Sequence, residues 1–346
     1  MRSAMFTPLA PIMLLIAVLF HLVPRMRKRN LYFAVTVPEE FRQSEEGRAI
    51  ARAFRTLVWA GTIVALAVSW FALGRGWMLL ATLAPDVQIV VVLIAWVLAW
   101  RRTRHHAAEP GGVRSADLFA QPERAPGGPL ATILPFLGPL GAAAWLWFKY
   151  TELPARYPVH WNASGHVDHY VAKSPMAVFL ASLISAAVLL LMFLIALGIR
   201  FATRRGSSGE QPGWASKFRQ LNLGMLTAVM WLVSLLTTVG AVAPLLPASA
   251  MGWLPWVIVV VLLLTVAGFA VPMIRMGMER TGGTDATPDE CWKGGLIHYN
   301  PADTALMVER RDGVGFTINF GNRLSWWVIG LMLLAIGPLM LSLGLK

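Results

Sequence analysis

Charged residues are scarce in this chain. They form 14% of its 346 residues, whereas hydrophobic residues form 56%, and soluble proteins carry roughly a quarter charged residues. A soluble fold of this composition would have to leave much of its apolar surface in water. The scarcity of charge therefore excludes an ordinary soluble domain and predicts that the chain has the lipid bilayer as its solvent.

Cysteine is nearly absent, since Cys291 is the single one. One thiol excludes an intramolecular disulfide framework and any metal cluster that needs several cysteines. The sequence also lacks the HExxH zinc motif, paired aspartates within an apolar run, and a serine and lysine pair in a recognisable context. We therefore predict no catalytic residues, no metal ligands and no cofactor.

Long apolar runs make up most of the chain, and a bilayer is crossed by a helix of about 20 such residues. They predict a membrane all-α fold of about eight transmembrane helices, with a small cytoplasmic antiparallel β module before the last helix. Prolines and glycines at residues 135–141 predict that the fourth span is kinked. The predicted spans are residues 6–23, 57–73, 77–100, 130–148, 176–199, 223–246, 253–274 and 324–343.

The basic residues indicate how these spans are oriented. Of the 30 Lys and Arg residues, 24 lie in four loops, residues 24–55, 101–129, 200–219 and 275–323. Loops rich in Lys and Arg stay in the cytoplasm, so both termini are expected to be extracytoplasmic. Because the basic residues are spread over separate loops and do not form one basic domain, no direct contact with nucleic acid is expected.

Two polar segments carry local structure. Residues 38–55 mix acids and bases at helical spacing and predict an amphipathic helix that leads into the second span. In residues 275–323, the runs GLIHYN, ALMVER and GFTINF are separated by turn residues and predict a three-stranded antiparallel meander, anchored by Trp292 and Phe316. The predicted domains are residues 1–149 with four spans, the loop 150–175, residues 176–274 with three spans, the β domain 275–323 and the last span 324–346.

Asp86 is the one carboxylate inside an apolar run. An acid within the membrane is costly to desolvate and marks a functional site by default. Only 14 residues of the run follow Pro85 and Asp86, however, so the carboxylate could equally lie at the outer interface. Both placements remain open.

Residues 153–175 form a polar island between the fourth and fifth spans, and they would be extracytoplasmic. Pro154 and Pro158 stiffen the segment, and residues 162–165 predict a turn. This turn would hold His160 near Asp168 and the neighbouring histidine. The segment could be ordered for structure alone, could grip a peptide through hydrogen bonds and an aromatic face, or could bind a metal, although its spacing matches no zinc signature.

The order of residues in LPARYPVHWNASGHVDHYVAKS resembles the domain of unknown function 1648, found in bacterial membrane proteins of the SdpI-like immunity family. The resemblance implies a polytopic protein that senses an envelope peptide or confers immunity to a toxin, and that signals to a cytoplasmic regulator. The residues that carry it or flank it, and that are expected to bind ligand, are His160, Trp161, Asn162, Gly165, Asp168 and Lys173.

The cytoplasmic segment DECWKGGLIHYNPADTALMVERRDGVGFTINFGN resembles a second domain of unknown function, number 5808. This resemblance supports the expectation of a small folded domain, and no chemistry is assigned to the family. The residues expected to bind a cytoplasmic partner are Trp292, Tyr299, Asn300, Asp303 and Asn319.

Three functions follow from these features. The first is a membrane sensor or immunity protein, whose partners are the bilayer, an extracytoplasmic peptide and a cytoplasmic regulator. The second is a small-solute transporter, which depends on Asp86, since carriers generally need ionisable groups near the midplane. The third is a membrane metalloenzyme built on the histidines of residues 153–175.

Overall fold

The structure of the protein is a computed structural model that describes residues 2–25, 30–109, 115–117, 124–161, 167–201, 204–206, 213–245, 248–279, 285, 287–311, 315–330 and 333. Most of these residues are helical. The α-helices are α1 (Arg2–Leu22), α2 (Glu45–Arg75), α3 (Met78–Arg104), α4 (Gly128–Ile133), α5 (Leu137–Phe148), α6 (Pro175–Phe201), α7 (Trp214–Val242) and α8 (Ala248–Glu279). A further helix begins at residue 323 and continues to residue 330.

Six helical stretches of the described chain are long and apolar enough to cross a bilayer, and they coincide with the second to seventh predicted spans. They are Glu45–Arg75, Leu79–Arg104, Gly128–Phe148, Pro175–Phe201, Trp214–Leu245 and Val259–Met276. The described apolar part of the first predicted span, Leu9–Arg25, is shorter, and most of the eighth, 324–343, lies outside the described residues. The multi-pass helical architecture is confirmed, whereas the count of eight spans is not.

Short strands form separate two-stranded antiparallel sheets. The strands are β1 (Leu31–Tyr32), β2 (Val35–Thr36), β3 (Ser115–Asp117), β4 (Arg156–Trp161), β5 (Val167–Ala172), β6 (Arg204–Gly206), β7 (Trp292–Lys293), β8 (Ile297–His298), β9 (Met307–Glu309) and β10 (Phe316–Ile318). The pairs are β1 with β2, β3 with β6, β4 with β5, β7 with β8, and β9 with β10. The β3–β6 pair joins the loop 101–129 to the loop 200–219.

The chain divides into two compact units. Unit 1 consists of Met1–Gln121, Ala202–Phe218 and Ala270–Ser325, and unit 2 of Pro122–Phe201, Arg219–Phe269 and Trp326–Lys346. Unit 1 therefore contains α1 to α3 and the C-terminal strands. Unit 2 contains α4 to α6 and the β4–β5 hairpin.

Small side chains line the contact between α2 and α3 in unit 1. Ala65, Ser69 and Ala72 are buried along α2, and Ala81 and Ala84 are buried along α3. Membrane helices gain little hydrophobic energy from association, because lipid is as apolar as their side chains. Small residues at the contact allow the two backbones to approach and to gain dispersion energy instead.

A buried glutamine, Gln88, connects three helices of unit 1. Its Nε2 donates to the carbonyl of Met13 in α1 at 2.8 Å and to Thr62 Oγ1 in α2 at 2.9 Å. An amide is tolerated in hydrocarbon only when it is hydrogen-bonded. Gln88 therefore fixes the position of α3 along both neighbouring helices.

Prolines inside the membrane helices leave carbonyl groups without their usual partners. Proline has no N–H, so the carbonyl four residues earlier lacks its intrahelical hydrogen bond. In α3, Pro85 frees the carbonyl of Ala81, and Ser69 Oγ of α2 donates to that oxygen at 3.4 Å. A neighbouring helix thus replaces the missing donor, as the bilayer requires.

The fourth span is kinked as predicted, and α7 supplies donors to both carbonyls that its prolines free. A 3-10 turn separates α4 from α5. Pro135 frees the carbonyl of Ala131, which accepts from Trp231 Nε1 at 3.0 Å. Pro139 frees the carbonyl of Pro135, which accepts from Ser234 Oγ at 2.5 Å. The kink in unit 2 is therefore held open by hydrogen bonds from one side of α7.

Removing the hydroxyl of Ser234 tests this arrangement. Ser234→Ala leaves the Pro135 carbonyl buried and unpaired, and we expect it to lower the free energy of unfolding by about 1–3 kcal/mol. Pro139→Ala restores an N–H four residues after Pro135, so adding it to Ser234→Ala should recover most of the loss. Thermal unfolding of the purified protein in detergent, followed by tryptophan fluorescence, measures both changes.

Ser185→Ala is the matched control for this rescue. Ser185 Oγ is 2.6 Å from the hydroxyl of Thr237 and serves no proline-freed carbonyl. Pro139→Ala should therefore leave the loss caused by Ser185→Ala unchanged. Equal rescue of both serine variants would mean that Pro139→Ala stabilises the helix generally, and the proposed pairing would be wrong.

Strands β1 and β2 form a tight hairpin in which residues 31–37 are all buried. Its turn residues, Phe33 and Ala34, have positive φ values of 42° and 61°, which cost roughly 1–2 kcal/mol each for residues other than glycine. The Phe33 ring packs edge-on against Phe54 and Trp96, with centroids 5.1 and 5.7 Å away. Burial of this ring offsets the strain of the turn.

The amphipathic helix predicted over residues 38–55 is only partly correct. Residues Glu39–Gln43 form a 3-10 turn, and α2 begins at Glu45. Ser44 Oγ caps α2 by accepting from the N–H of Gly47 at 3.0 Å. Ser44 has extended φ and ψ values, so α2 does not extend beyond it toward the N-terminus. The charged residues before Ser44 therefore lie outside the helix, although their spacing is helical.

The predicted three-stranded meander is wrong in one pairing. The three predicted runs contain β8, β9 and β10, and β9 pairs with β10 as expected. Strand β8 pairs with β7 instead, because a three-residue loop, residues 294–296, whose two glycines have positive φ, connects them. A single parallel bridge joins His298 to Asn319. Phe316 packs on Phe218 of α7 at 5.7 Å, in agreement with its predicted anchoring role.

Candidate functional site

Strands β4 and β5 form the hairpin that carries the predicted recognition residues. Their register places Pro158 opposite Tyr170 and His160 opposite His169, with irregularities on both sides of His160. Opposite residues in an antiparallel pair have Cβ atoms about 4.5–5.5 Å apart. The hairpin therefore brings together the two histidines that the sequence predicts to be neighbours.

Part of the predicted site lies beyond what the structure describes. The backbones of His160, Trp161 and Asp168 belong to the two strands, but their side chains are outside the description. The predicted turn with Asn162 and Gly165 also lies outside the described residues. The strands on either side confirm that the chain reverses direction between residues 161 and 167.

Lys173 closes the base of the hairpin. Its Nζ donates to the carbonyls of Leu153 at 2.9 Å and Tyr150 at 3.3 Å, and it lies 5.3 Å from the centroid of the Tyr150 ring. Its own N–H donates to the carbonyl of Ala155 at 2.9 Å. Lys173 was predicted to bind ligand. In the structure its ammonium group binds backbone carbonyls of the segment that leads into the hairpin.

Tyr157 fixes one face of the hairpin to the helices of unit 2. The side chain is buried in a cluster with Leu146, Leu153 and Val178, and its hydroxyl donates to the carbonyl of Ala241 at 3.4 Å. Burial raises the pKa of Tyr157 to about 12, because the phenolate would lose its hydration. The hydroxyl therefore stays protonated and remains a donor. Of the two stiffening prolines, Pro158 is buried and Pro154 is exposed.

Exposed side chains occur on both faces of the hairpin, and in the described part of the chain no further strand covers its β5 edge. Arg156, Val159, His169 and Tyr170 are exposed, and the Arg156 guanidinium lies 5.3 Å from the centroid of the Tyr170 ring. Pro158 removes a backbone donor from β4, which weakens that edge as a template for another strand. Strand β5 contains no proline, and among the described residues it pairs with β4 alone.

A second organised region of unit 1 surrounds a buried arginine, Arg311, which is 2% exposed. Its guanidinium donates to the carbonyl of Ala34 at 2.9 Å, to the carbonyl of Thr287 and to the carboxylate of Asp289. Its Nε lies 3.4 Å from Asp285 Oδ2. A planar guanidinium suits this role, because its donors point in several directions at once.

The two aspartates that pair with Arg311 also hold the β1–β2 hairpin, Asp289 through its carboxylate and Asp285 through its backbone. Asp289 accepts from the hydroxyl of Thr36 at 2.7 Å and from its N–H at 3.1 Å. Asn30 and Asp285 exchange two hydrogen bonds of 3.1 and 3.2 Å. The described residues of 30–37 and 285–319 therefore form one structure, which we name the composite β region.

Asn319 organises the remaining part of the composite β region. Its Nδ2 donates to the carbonyls of Asn300 at 3.0 Å and Asp303 at 2.9 Å. Its Oδ1 accepts from the N–H groups of Asn300 and Gly321, both at 3.0 Å. The side chain is fully buried, and its four bonds satisfy backbone groups of partly buried residues.

The five predicted partner-binding residues differ in exposure. Trp292 and Asn319 are buried, and Asn300 and Asp303 are partly buried in the turn that Asn319 holds. Tyr299 is 48% exposed. Of the five, Tyr299 alone presents most of its ring to the surroundings.

Sequence reasoning missed three buried polar side chains that shape unit 1. They are Gln88, Arg311 and His298, whose ring centroid lies 4.7 Å from that of Trp292. Arg311 follows another arginine and precedes Asp-Gly, so local chemistry indicates a turn at the surface. The partners of Arg311 are up to 277 residues away in the chain, and no local pattern could have shown them.

Asp86 lies in α3 immediately after Pro85, and its side chain is exposed. It therefore faces away from the buried seam that contains Gln88. In the described part of the chain, three or more His, Cys, Asp or Glu side chains nowhere gather as they would around a metal ion. The side chains of His160 and His166 are not covered by that statement.

These features define a multi-pass α-helical membrane protein. It has a β-hairpin between two spans in unit 2 and the composite β region in unit 1. Two family models match the chain. A domain of unknown function (DUF1648) matches residues 136–186, which include the β4–β5 hairpin, and a family of unknown function (DUF5808) matches residues 301–326. Both domain resemblances found in the sequence are thereby confirmed, whereas the SdpI-like immunity label is not shown. A search of curated proteins and a search of solved structures gave no match.

Proposed function

We propose that this protein is a sensor in a bacterial inner membrane that binds an envelope-active peptide at the β4–β5 hairpin and signals to a cytoplasmic regulator. Immunity to the peptide would be the physiological result. The carrying observation is a hairpin that is fixed at its base and open along β5. Lys173 and Tyr157 hold the base, so little ordering would be needed when a ligand binds.

The open edge of β5 suits an extended peptide. A peptide can add a strand to an exposed sheet edge, where backbone hydrogen bonds supply affinity and alternate side chains supply specificity. Tyr170 and His169 of β5 are exposed and would contact side chains of such a peptide. The residues of the DUF1648 pattern, His160 and Asp168, lie on the same two strands.

Contacts within unit 1 support a common side for the four basic loops. The N–H of Ala108 donates to the carbonyl of Thr36 at 2.8 Å, which joins the first loop to the second. Strands β3 and β6 join the second loop to the third, and the Phe218–Phe316 contact joins the third to the fourth. Since these loops hold 24 of the 30 Lys and Arg residues, we place them in the cytoplasm, the hairpin outside, and both termini extracytoplasmic.

The composite β region is the proposed output of the sensor. It joins the chain segment that precedes α2 to the segment that follows α8, and it is bonded to Trp96 of α3, so a shift of α2 or α3 would be transmitted to it. The turn at Asn300 and Asp303 offers a surface for the regulator.

The experiment is a protection assay in bacteria that express the full chain. Cells are challenged with a panel of envelope-active peptides, and the inhibitory concentration of each is measured. We expect the protein to raise that concentration several-fold for at least one peptide, and His160→Ala and Asp168→Ala to abolish the increase. Thr151→Ala, an exposed change just before the hairpin, should protect as well as wild type.

Membrane levels of each variant are compared by immunoblotting, so that loss of protein is not mistaken for loss of recognition. If His160→Ala and Asp168→Ala are present at normal levels and still protect, the hairpin is not the recognition site. If the wild-type chain protects against no peptide in the panel, the proposed function is wrong.

A further inference from the structure

We infer that the β7–β8 hairpin lies in the headgroup region of the bilayer and that Lys293, Ile297 and Tyr299 contact lipid. The inference concerns the described residues of unit 1 and does not depend on the proposed sensing function. It rests on the depth at which the hairpin is attached to α3, on the closeness of that attachment and on the side chains that the hairpin exposes.

The first observation is the depth of attachment. Trp96 Nε1 donates to the carbonyl of Gly294, in the turn of the hairpin, at 3.2 Å. Trp96 precedes Arg101 by five residues, which at 1.5 Å per residue places it about 7–8 Å nearer the middle of the membrane-spanning helix. Arg101 and Arg102 are exposed at the end of α3, and such residues lie at the level of the headgroups. The turn of the hairpin therefore lies nearer the middle of the bilayer than the backbone of Arg101 and Arg102.

The direction of the indole increases this depth. Long side chains in a helix point toward its N-terminus, and the N-terminus of α3 is at the opposite end of the span. The Trp96 ring thus reaches further toward the middle of the bilayer than its Cα. It is buried between the composite β region and α2, where it lies 6.4 Å from the ring of Phe54.

The second observation is the close packing of the hairpin turn against α3. Gly295 has a φ of +72°, and a Cβ there would meet the Cβ of Ala34 at 2.8 Å and Cδ1 of Trp100 at 3.0 Å. Only glycine permits this close approach. The turn is therefore packed against two tryptophans of a membrane-spanning helix and is held at their depth.

The third observation is the division of side chains between the two faces of the hairpin. Trp292 and His298 point inward and are buried. Ile297 and Tyr299 point outward and are 47% and 48% exposed, and Lys293, directly opposite Ile297 in the register, is exposed as well. An apolar residue, a tyrosine and a lysine suit the interface, where the lysine stem is covered by lipid and its charge reaches the phosphates.

The test is a depth measurement by site-directed spin labelling. In a Cys291→Ser background, Ile297→Cys in the full chain is labelled with a nitroxide and reconstituted in vesicles that contain phosphatidylglycerol. Collision of the label with oxygen, which concentrates in lipid, is compared with collision with a nickel chelate, which stays in water. We expect oxygen collisions to dominate at position 297.

Glu45→Cys is the aqueous control. Glu45 is exposed in the first turn of α2, nine residues before Phe54, so it lies about 13 Å further out along the helix. Nickel collisions should dominate there. Nickel collisions at position 297 that match those at position 45 would place the hairpin in water and overturn the inference. Low collision with both reagents at 297 would place it beneath protein and overturn it as well.

Discussion

Arg311→Met is expected to lower the stability of unit 1 by about 3–5 kcal/mol, the usual effect of removing one partner from a buried ion pair. The change leaves the carboxylates of Asp285 and Asp289 without their cation and the Ala34 carbonyl without its donor. The β1–β2 hairpin should open most readily. Hydrogen exchange of residues 30–37, followed by mass spectrometry, should accelerate by roughly 10²–10⁴-fold.

Neutralising the partners should reverse much of this effect. Adding Asp285→Asn and Asp289→Asn to Arg311→Met removes the unpaired charges, and replacing a whole buried pair costs less than breaking it. Arg323→Met, at an exposed arginine, serves as the control and should change stability by less than about 0.5 kcal/mol. Unchanged exchange in residues 30–37 of Arg311→Met would show that the arginine does not hold the hairpin.

Asn319→Leu is the second change with a large expected effect. It leaves four backbone groups of Asn300, Asp303 and Gly321 without their partners, and each buried group left unpaired costs about 1–3 kcal/mol. We expect the composite β region to unfold before the membrane helices, as an added low-temperature transition. Tryptophan fluorescence during heating should detect it, because Trp292 is buried in this region.

Asn322→Ala is the matched control for Asn319→Leu. Asn322 also bonds backbone groups, since it donates to the carbonyl of Thr304 at 2.8 Å and accepts from Leu324 N at 2.9 Å. Its bonds are exposed, so water can replace them, and its loss should cost about 1 kcal/mol, as for a helix cap. Equal losses for the two asparagines would mean that burial of Asn319 is not what makes its bonds important.

The membrane helices could be predicted from the sequence, and their irregularities could be predicted in part. Apolar runs such as 176–199 are continuous and contain no charged residue, so they predict membrane-spanning helices. The kink at Pro135 and Pro139 was also predictable, because both prolines are local. The donors that stabilise it, Trp231 and Ser234, belong to another helix, and only the fold places them beside those carbonyls.

The composite β region could not be predicted as a whole. Its last three strands follow from local turn chemistry, but the β1–β2 hairpin turns at Phe33 and Ala34, which are not typical residues for positive φ. Burial against Phe54 and the bond from Arg311 stabilise that turn, and both act from distant parts of the chain. Local preference was overridden there by packing, which a sequence pattern does not reveal.

The candidate site was predictable in its backbone and less so in its side chains. The two prolines and the polar residues of 153–175 predict an exposed reversal of the chain, and β4 and β5 confirm it. Lys173 fits the family pattern, and its position in that pattern gave no sign that its ammonium group would bind the carbonyls of Tyr150 and Leu153. A family pattern contains residues that shape a loop as well as residues that contact a ligand, so the pattern alone does not distinguish the two roles.

The dependence of the β1–β2 hairpin on Arg311 has a consequence for biosynthesis. The carbonyl of Ala34 and its guanidinium donor are 277 residues apart, and at about 5–20 residues per second the ribosome needs on the order of 10–50 s to supply the second after the first. During that interval, residues 31–37 are an apolar segment with a strained turn and no completed core. A chaperone or protease that binds residues 31–37 could distinguish a chain that is still being synthesised from one whose C-terminal strands have been made.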